Sequence, residues 1–401
     1  MHQIKRYGLA AGLAAMLALG LAGCGGNDSL PPKAQISKVY VMGDSLADVG
    51  TFSGLKFTVQ DASNPKGFPI WSQIVASNFG LDALSQCNVY SGQLTFDSAG
   101  NWTNESYTDN VTAGCTNYAI GGGRIVVPAD PSNSSANAAN PRNILKQFEK
   151  RAATGTYAPS DLVMMVVGGN DAADLVGAYL GLATGAPGLA KYQAFLLQQL
   201  DSGTLNALLP VPSTGPALAA GAYMQKLADT FYAQLKAQVL DKGAARVAVL
   251  NLPDITLTPR FSMVLAGIAQ SDPNSALALK GAIQQWTSAF NTQLKANIGN
   301  DSRVALVDFY SDFTDEIKNF SAYGLTNPTD AVCQVTSVDP TTGLPNYTFP
   351  ICTSAALDAL PGKTAGWWKS YAFSDGFHPT PLGHSLLAAS VSRALARAGW
   401  L

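Results

Sequence analysis

The chain has 401 residues, a formal net charge of −2 at pH 7, 13% charged and 47% hydrophobic residues. That balance is enough to bury a large core, and nothing in it is basic enough to suggest a nucleic-acid partner. The length allows one large domain or two, and neither a repeat nor an internal linker is visible.

Residues 1–23 read as a secretion signal: Lys5 and Arg6 precede the apolar run LAAGLAAMLALGLAG, which is short for a comfortable membrane span. The run ends in Leu21-Ala22-Gly23-Cys24, which resembles the bacterial lipobox. The resemblance implies cleavage before Cys24 and a diacylglycerol on its thiol. Gly25 in place of Asp favours sorting to the outer membrane. The bland alternative is ordinary secretion, periplasmic or extracellular, with an incidental Cys. Removing 1–23 takes away two bases and no acid, so the mature chain is more acidic. Residues 24–35 read as a flexible tether, and 36–401 as a single domain.

Four Val-rich runs, at 36–43, 161–169, 245–253 and 302–310, are continuously apolar and predict strands covered on both faces. Helical spacing lies between them, at 70–80, 141–152, 221–243 and 275–299, and again at 379–399. Strand alternating with helix predicts an α/β three-layer sandwich around a central, mostly parallel sheet. Three stretches break the pattern: 86–116, 172–216 and 323–372. Insertions of this size in a compact domain suggest function or disorder. The second of these is apolar, beginning AADLVGAYLGLATGAPGLA. It is either an extra helical layer on the flank or a wall or lid over the site.

Beyond Cys24 the chain carries Cys87, Cys115, Cys333 and Cys352, an even count that suggests disulfides in an exported protein. Three pairings are open; the local one closes two short loops. A metal site is disfavoured, because there is no C-x-x-C and only His378 and His384 follow the leader.

The first strand stops in Gly43-Asp44-Ser45. These are turn formers, but Ser45 also stands where open α/β sheets carry their sites. The G-x-S-x-G elbow is absent. A serine hydrolase needs a base, and His378 lies three residues after Asp375, close enough for the carboxylate to orient the imidazole. His384 falls inside a helical pattern, with a surface or packing role expected. Alone, Asn170 reads as a cap, Asp44 and Asp48 as turn caps, Asp171 as a helix cap or a support for the Asn170 turn, and Trp71, Trp367 and Trp368 as packing.

VMGDSLADVGTF (41–52), TNYAIGGGR (116–124), VVGGNDAADL (166–175) and SDGFHPT (374–380) resemble, in order, four blocks of the GDSL, or SGNH, hydrolase family. VLNLPDITLTP (249–259) and DFYSDFTDEIKNFSAYGLTN (308–327) match further, so the resemblance runs from about residue 37 to the C-terminus. The segment 172–216 matches nothing in it. The resemblance implies a flavodoxin-like sandwich, with Ser45 as nucleophile, His378 as base and Asp375 as its orienter. It implies an oxyanion hole from the Ser45 N–H, a glycine N–H and the Asn170 amide. Among Gly121, Gly122 and Gly123, the family's spacing from Asn117 points to Gly122.

The function so implied is cleavage of carboxylic esters, lipid or other apolar acyl esters favoured, without metal or organic cofactor. An acyltransferase would share the acyl-enzyme, and a product assay with an added alcohol separates the two. A non-catalytic surface binding protein would keep only the fold and would resist a fluorophosphonate probe.

Overall fold

In a computed structural model of the protein, the described residues are 34–82, 86–96, 102–127, 140–338, 344–348 and 352–401. The predicted signal, Cys24 and nearly all of the tether lie outside them. The first sheet strand, β1 (Lys38–Gly43), is followed by α1 (Trp71–Ser77), a hairpin β2 (Tyr90–Phe96) and β3 (Trp102–Asp109), then α2 (Ile144–Ala152) and β4 (Asp161–Val166). Next come α3 (Gly169–Leu180), α4 (Ala186–Leu196), α5 (Ser202–Leu208) and α6 (Gly215–Leu235), before β5 (Val247–Leu250). Helices α7 (Pro259–Ser271) and α8 (Pro273–Ile298) lead to β6 (Val304–Val307) and α9 (Phe309–Lys318). Short strands β7 (Asn327–Ala331), β8 (Val335–Val338) and β9 (Pro345–Tyr347), the short α10 (Ser354–Asp358) and β10 (Tyr371–Phe373) precede the last helix, α11 (Pro381–Arg397).

The four predicted sheet strands form one parallel sheet in the order β1-β4-β5-β6. All six positions of β4 are buried, as expected of a parallel strand covered on both faces. The free side of β1 is also used. Tyr118 donates its N–H to Val41 O and Ile120 to Gly43 O, and Val41 bridges Asn117 in parallel. Counted with that segment, the chain goes to one side of β1, then returns to β4 on the other. The carboxyl end of β1 is therefore the switch point where doubly wound sheets open a crevice.

Helices cover both faces. On one side α2 packs on β1, and α6 packs on α8 and α2. On the other, α11 packs on β5, β6, α1 and α9. This is the α/β/α sandwich that the strand–helix alternation predicts.

The apolar segment 172–216 is mostly helical. It sends Leu175, Val176, Tyr192, Leu196, Leu200 and Leu205 into the main hydrophobic core. Tyr192 Oη donates to Pro216 O (2.8 Å) and Tyr179 sits edge-on to Trp286 (5.0 Å). A fully buried Leu contributes roughly 1.5–3 kcal/mol, so this extra layer is integral to the domain. The wall-or-lid alternative is not what these residues do.

The cysteines form the local pairs, Cys87–Cys115 and Cys333–Cys352, each worth roughly 3–4 kcal/mol in the chain-entropy view. The second lies in a small core with Val59, Val332, Leu357 and Trp368. From there the chain braces the last loop: Val332 N–H donates to Phe373 O and Cys333 N–H to Ser374 O. Trp71 and Trp368 are buried and Trp367 half-buried, as packing residues.

Candidate active site

Three loops meet at the carboxyl end of the sheet, each shaped by its own sequence. The first is the turn after β1. Gly43 has φ +147°, and a Cβ there would stand 2.1 Å from Val166 O, so no other residue fits. Its N–H donates to Gln147 Oε1 (2.8 Å) and its carbonyl accepts from Gln147 Nε2 (2.9 Å). The buried Gln147 of α2 thus clamps the peptide just before Asp44 and Ser45. Asp44 Oδ1 accepts the Leu46 N–H (3.0 Å). Burial pushes its carboxyl up to about 7, the Leu46 hydrogen bond pulling the other way.

Asp48 joins this turn to the glycine loop. It accepts from Gly50 and Thr51 N–H, as a turn cap should, and its Oδ2 also accepts Gly121 N–H (2.9 Å). Asn117 adds a second tie, Nδ2 to Ala47 O (2.8 Å). Within the glycine run, Gly121 N–H is spent on Asp48 and Gly123 N–H on Ile120 O. Gly122, at φ +76°, has no protein acceptor for its N–H among the described residues, and neither has Ser45. The backbone N–H groups of Ser45 and Gly122 are therefore left unspent.

The third element is the start of α3, capped by Gly168 in the left-handed region (φ +101°). Asn170 Nδ2 donates to Gly123 O (3.0 Å), which fixes the amide and leaves its other N–H available. Asp171 accepts Ile125 and Val126 N–H (3.0 and 2.9 Å). Burial raises its carboxyl to about 7, against those two bonds. The Arg124–Asp174 pair (2.5 Å) adds a further link between glycine loop and α3. Asp171 therefore supports the Asn170 turn by holding the neighbouring loop.

Asp375 and His378 follow β10. Asp375 Oδ1 accepts Phe377 and His378 N–H, both 2.8 Å. His378 Nδ1 lies 2.7 Å from Asp375 Oδ2 and 2.9 Å from Oδ1, and Nε2 lies 2.8 Å from Ser45 Oγ. The loop is tied back by Ser374 N–H to His378 O and Arg260 N–H to Gly376 O. Burial works against a charged imidazole, but the Asp375 charge and hydrogen bond outweigh it, so His378 lies above the ordinary histidine value. Burial likewise opposes the Asp375 carboxylate, yet His378 and the two backbone donors hold it below the usual range. Phe57 packs near the imidazole, ring centroids 5.1 Å apart. His384 is fully buried in α11, and burial drives it down to about 3. It is a neutral packing residue.

Ser45, His378 and Asp375 thus stand in a hydrogen-bonded line, Asn170 shares the pocket lining with Ser45, and Gly122 sits in the loop that Asp48 and Asn170 tie to this turn. Beside Ser45 opens a mainly apolar pocket whose lining includes Val166, Leu252, Ile255, Phe313, Phe373 and Phe377, together with Asn170. No residue of 172–216 lines it. Among the described residues, no His, Cys, Asp and Glu group could hold a metal ion.

A serine, histidine and aspartate in hydrogen-bonded sequence at the edge of a parallel α/β sheet define the serine hydrolase class. Comparison with known proteins narrows this. A profile of the GDSL-like lipase/acylhydrolase family matches residues 39–391, and the chain belongs to that family. A curated relative, the uncharacterized protein in the trpE-trpG intergenic region of Pseudomonas putida, is 25% identical over 358 residues. The match covers 88% of this chain and 47% of that protein, so the chain spans about half the relative's length.

Proposed function

We propose that the chain is a carboxylic ester hydrolase working through an acyl-enzyme on Ser45. Ser45 Oγ attacks the ester carbonyl as His378 Nε2 accepts its proton. Asp375 holds the imidazole in the tautomer that leaves Nε2 free and stabilises the imidazolium that forms. The oxyanion accepts from the Ser45 and Gly122 N–H groups and the second Asn170 N–H. His378 then gives the proton to the departing alcohol, and water repeats the sequence on the acyl-enzyme. The observation that carries this reading is the unbroken line from Ser45 Oγ through His378 to Asp375.

Apolar acyl esters are the favoured substrates, and the aromatic and aliphatic lining beside Ser45 supports this. The test is a chain-length profile with p-nitrophenyl esters on wild type and Ser45→Ala. Medium or long chains should be preferred, and Ser45→Ala should be inert. A strong preference for acetylated polysaccharide over any acyl ester would defeat the substrate reading. We also propose export and a lipid anchor on Cys24, on the strength of the leader and Leu21-Ala22-Gly23-Cys24. Cys24→Ser should then move the protein from the membrane to the soluble fraction, and its retention on membranes would count against the anchor.

A further inference from the structure

Helix α9 places Phe309, Phe313, Glu316 and Ile317 along the pocket that opens at Ser45. Their spacing of four, seven and eight residues is that of one helical face. Three members are apolar, as the pocket demands. The fourth is a carboxylic acid. Glu316 is only 5% exposed, and no hydrogen bond or ion pair to its side chain is found among the described residues. Its helical neighbour Asp312 takes up the nearby base instead, pairing with Arg393 of α11 at 3.0 Å and accepting from Ser390. The Glu316 carboxyl oxygens are not among the fully sealed, unpartnered polar atoms of the described residues. A pure acyl pocket would be better served by Leu at this position.

We propose that Glu316 is the specificity residue of this pocket, and that the substrate's acyl chain carries a hydroxyl group that hydrogen-bonds to it. This rests on the reading of the pocket as the acyl site. A protonated carboxyl offers one donor and an acceptor, which matches an alcohol in an otherwise apolar chain. The carboxyl is in the right state for this: burial, then Asp312 and Asp315 on its own helix, push it up to about 7, with Arg393 from α11 opposing them. Below that pH it is neutral. Above it, a carboxylate lines the pocket and an unsubstituted chain meets a charge.

The test uses p-nitrophenyl esters of one medium-length fatty acid and its hydroxy isomers, the hydroxyl moved carbon by carbon. In the wild type at pH 6, one position or two adjacent positions should raise kcat/KM about tenfold over the unsubstituted ester, mainly through KM, the size expected of one buried hydrogen bond. Glu316→Leu should reverse that preference. For the unsubstituted ester, KM should rise more steeply in the wild type as pH passes 7 than in Glu316→Gln, where Asp44, which also lines the pocket and is raised to about 7, is the remaining acid. Wild type that disfavours every hydroxylated ester overturns the proposal even if Glu316→Leu does not fold, and so does a preference that survives in Glu316→Leu. If instead rates fall steadily from acetate upward, the acyl-site reading fails, and the proposal with it.

Discussion

Replacing Asp375 by Asn changes one atom and tests the site's proton logic. Oδ1 is held by two backbone donors, Phe377 and His378 N–H at 2.8 Å each. Only the amide oxygen can occupy that position. The NH₂ group must then stand where Oδ2 is, 2.7 Å from His378 Nδ1. An amide donor facing Nδ1 requires Nδ1 to accept. The imidazole proton then moves to Nε2, where it points at Ser45 Oγ and blocks proton transfer from it. The expected loss is about 10⁴-fold in kcat, or about 5.4 kcal/mol. Activity needs neutral His378, so wild-type kcat falls as pH drops through a pKa raised above the ordinary histidine value. In Asp375→Asn the raising partner is gone and burial remains, so this acid limb moves to lower pH. The assay is kcat for a p-nitrophenyl ester from pH 5 to 9. A variant within tenfold of wild type, with its acid limb in place, would refute the reasoning.

Asn170→Ala should lower kcat by roughly 10²- to 10³-fold with KM little changed, if its amide serves the oxyanion; unchanged kcat would mean the hole lies elsewhere. Gly43→Ala forces a Cβ to 2.1 Å from Val166 O at a φ of +147°, and backbone strain with overpacking should cost about 2–6 kcal/mol. A thermal midpoint equal to wild type would show that the turn can relax. Asp44, Asp171 and Glu316 all have folded pKa values raised to about 7. The folded chain holds these protons longer than the unfolded one, so their contribution favours folding below about pH 4 and is lost as pH rises toward 7. Thermal midpoints measured from pH 4.5 to 8 should therefore decline; a steady rise would contradict those assignments.

The frame of the fold was readable because parallel strands buried on both faces must be continuously apolar. The runs at 36–43, 161–169, 245–253 and 302–310 contain the four strands the sheet uses. The pairing of His378 with Asp375 was readable because few residues could serve: one His has a carboxylate three residues before it, whereas Ser45 was singled out only by the resemblance to the family. What positions them was not. Gln147 clamps Gly43 from 104 residues away, and a Gln in a helix gives no local sign of that. Asp48 was predicted to cap its own turn and does, but its second oxygen also holds Gly121, 73 residues further along the chain. The segment 172–216 offered two readings, because an apolar helix looks alike whether it lines a site or thickens a core; only its contacts decide. Glu316 did leave a signal, as an acid on the Phe309–Phe313–Ile317 face, but Asp312 shares that spacing, and which acid matters shows only once the face is known to line a pocket.

Covalent labelling tests the central claim most directly. Wild type and His378→Ala are treated with a fluorophosphonate at pH 7.5, and the intact mass and labelled peptide are read. One label per chain, on the peptide containing Ser45, and a label rate at least a hundredfold lower in His378→Ala, is the expected result. A folded wild type that takes up no label, or carries it on another serine, would contradict the assignment of Ser45 as the nucleophile.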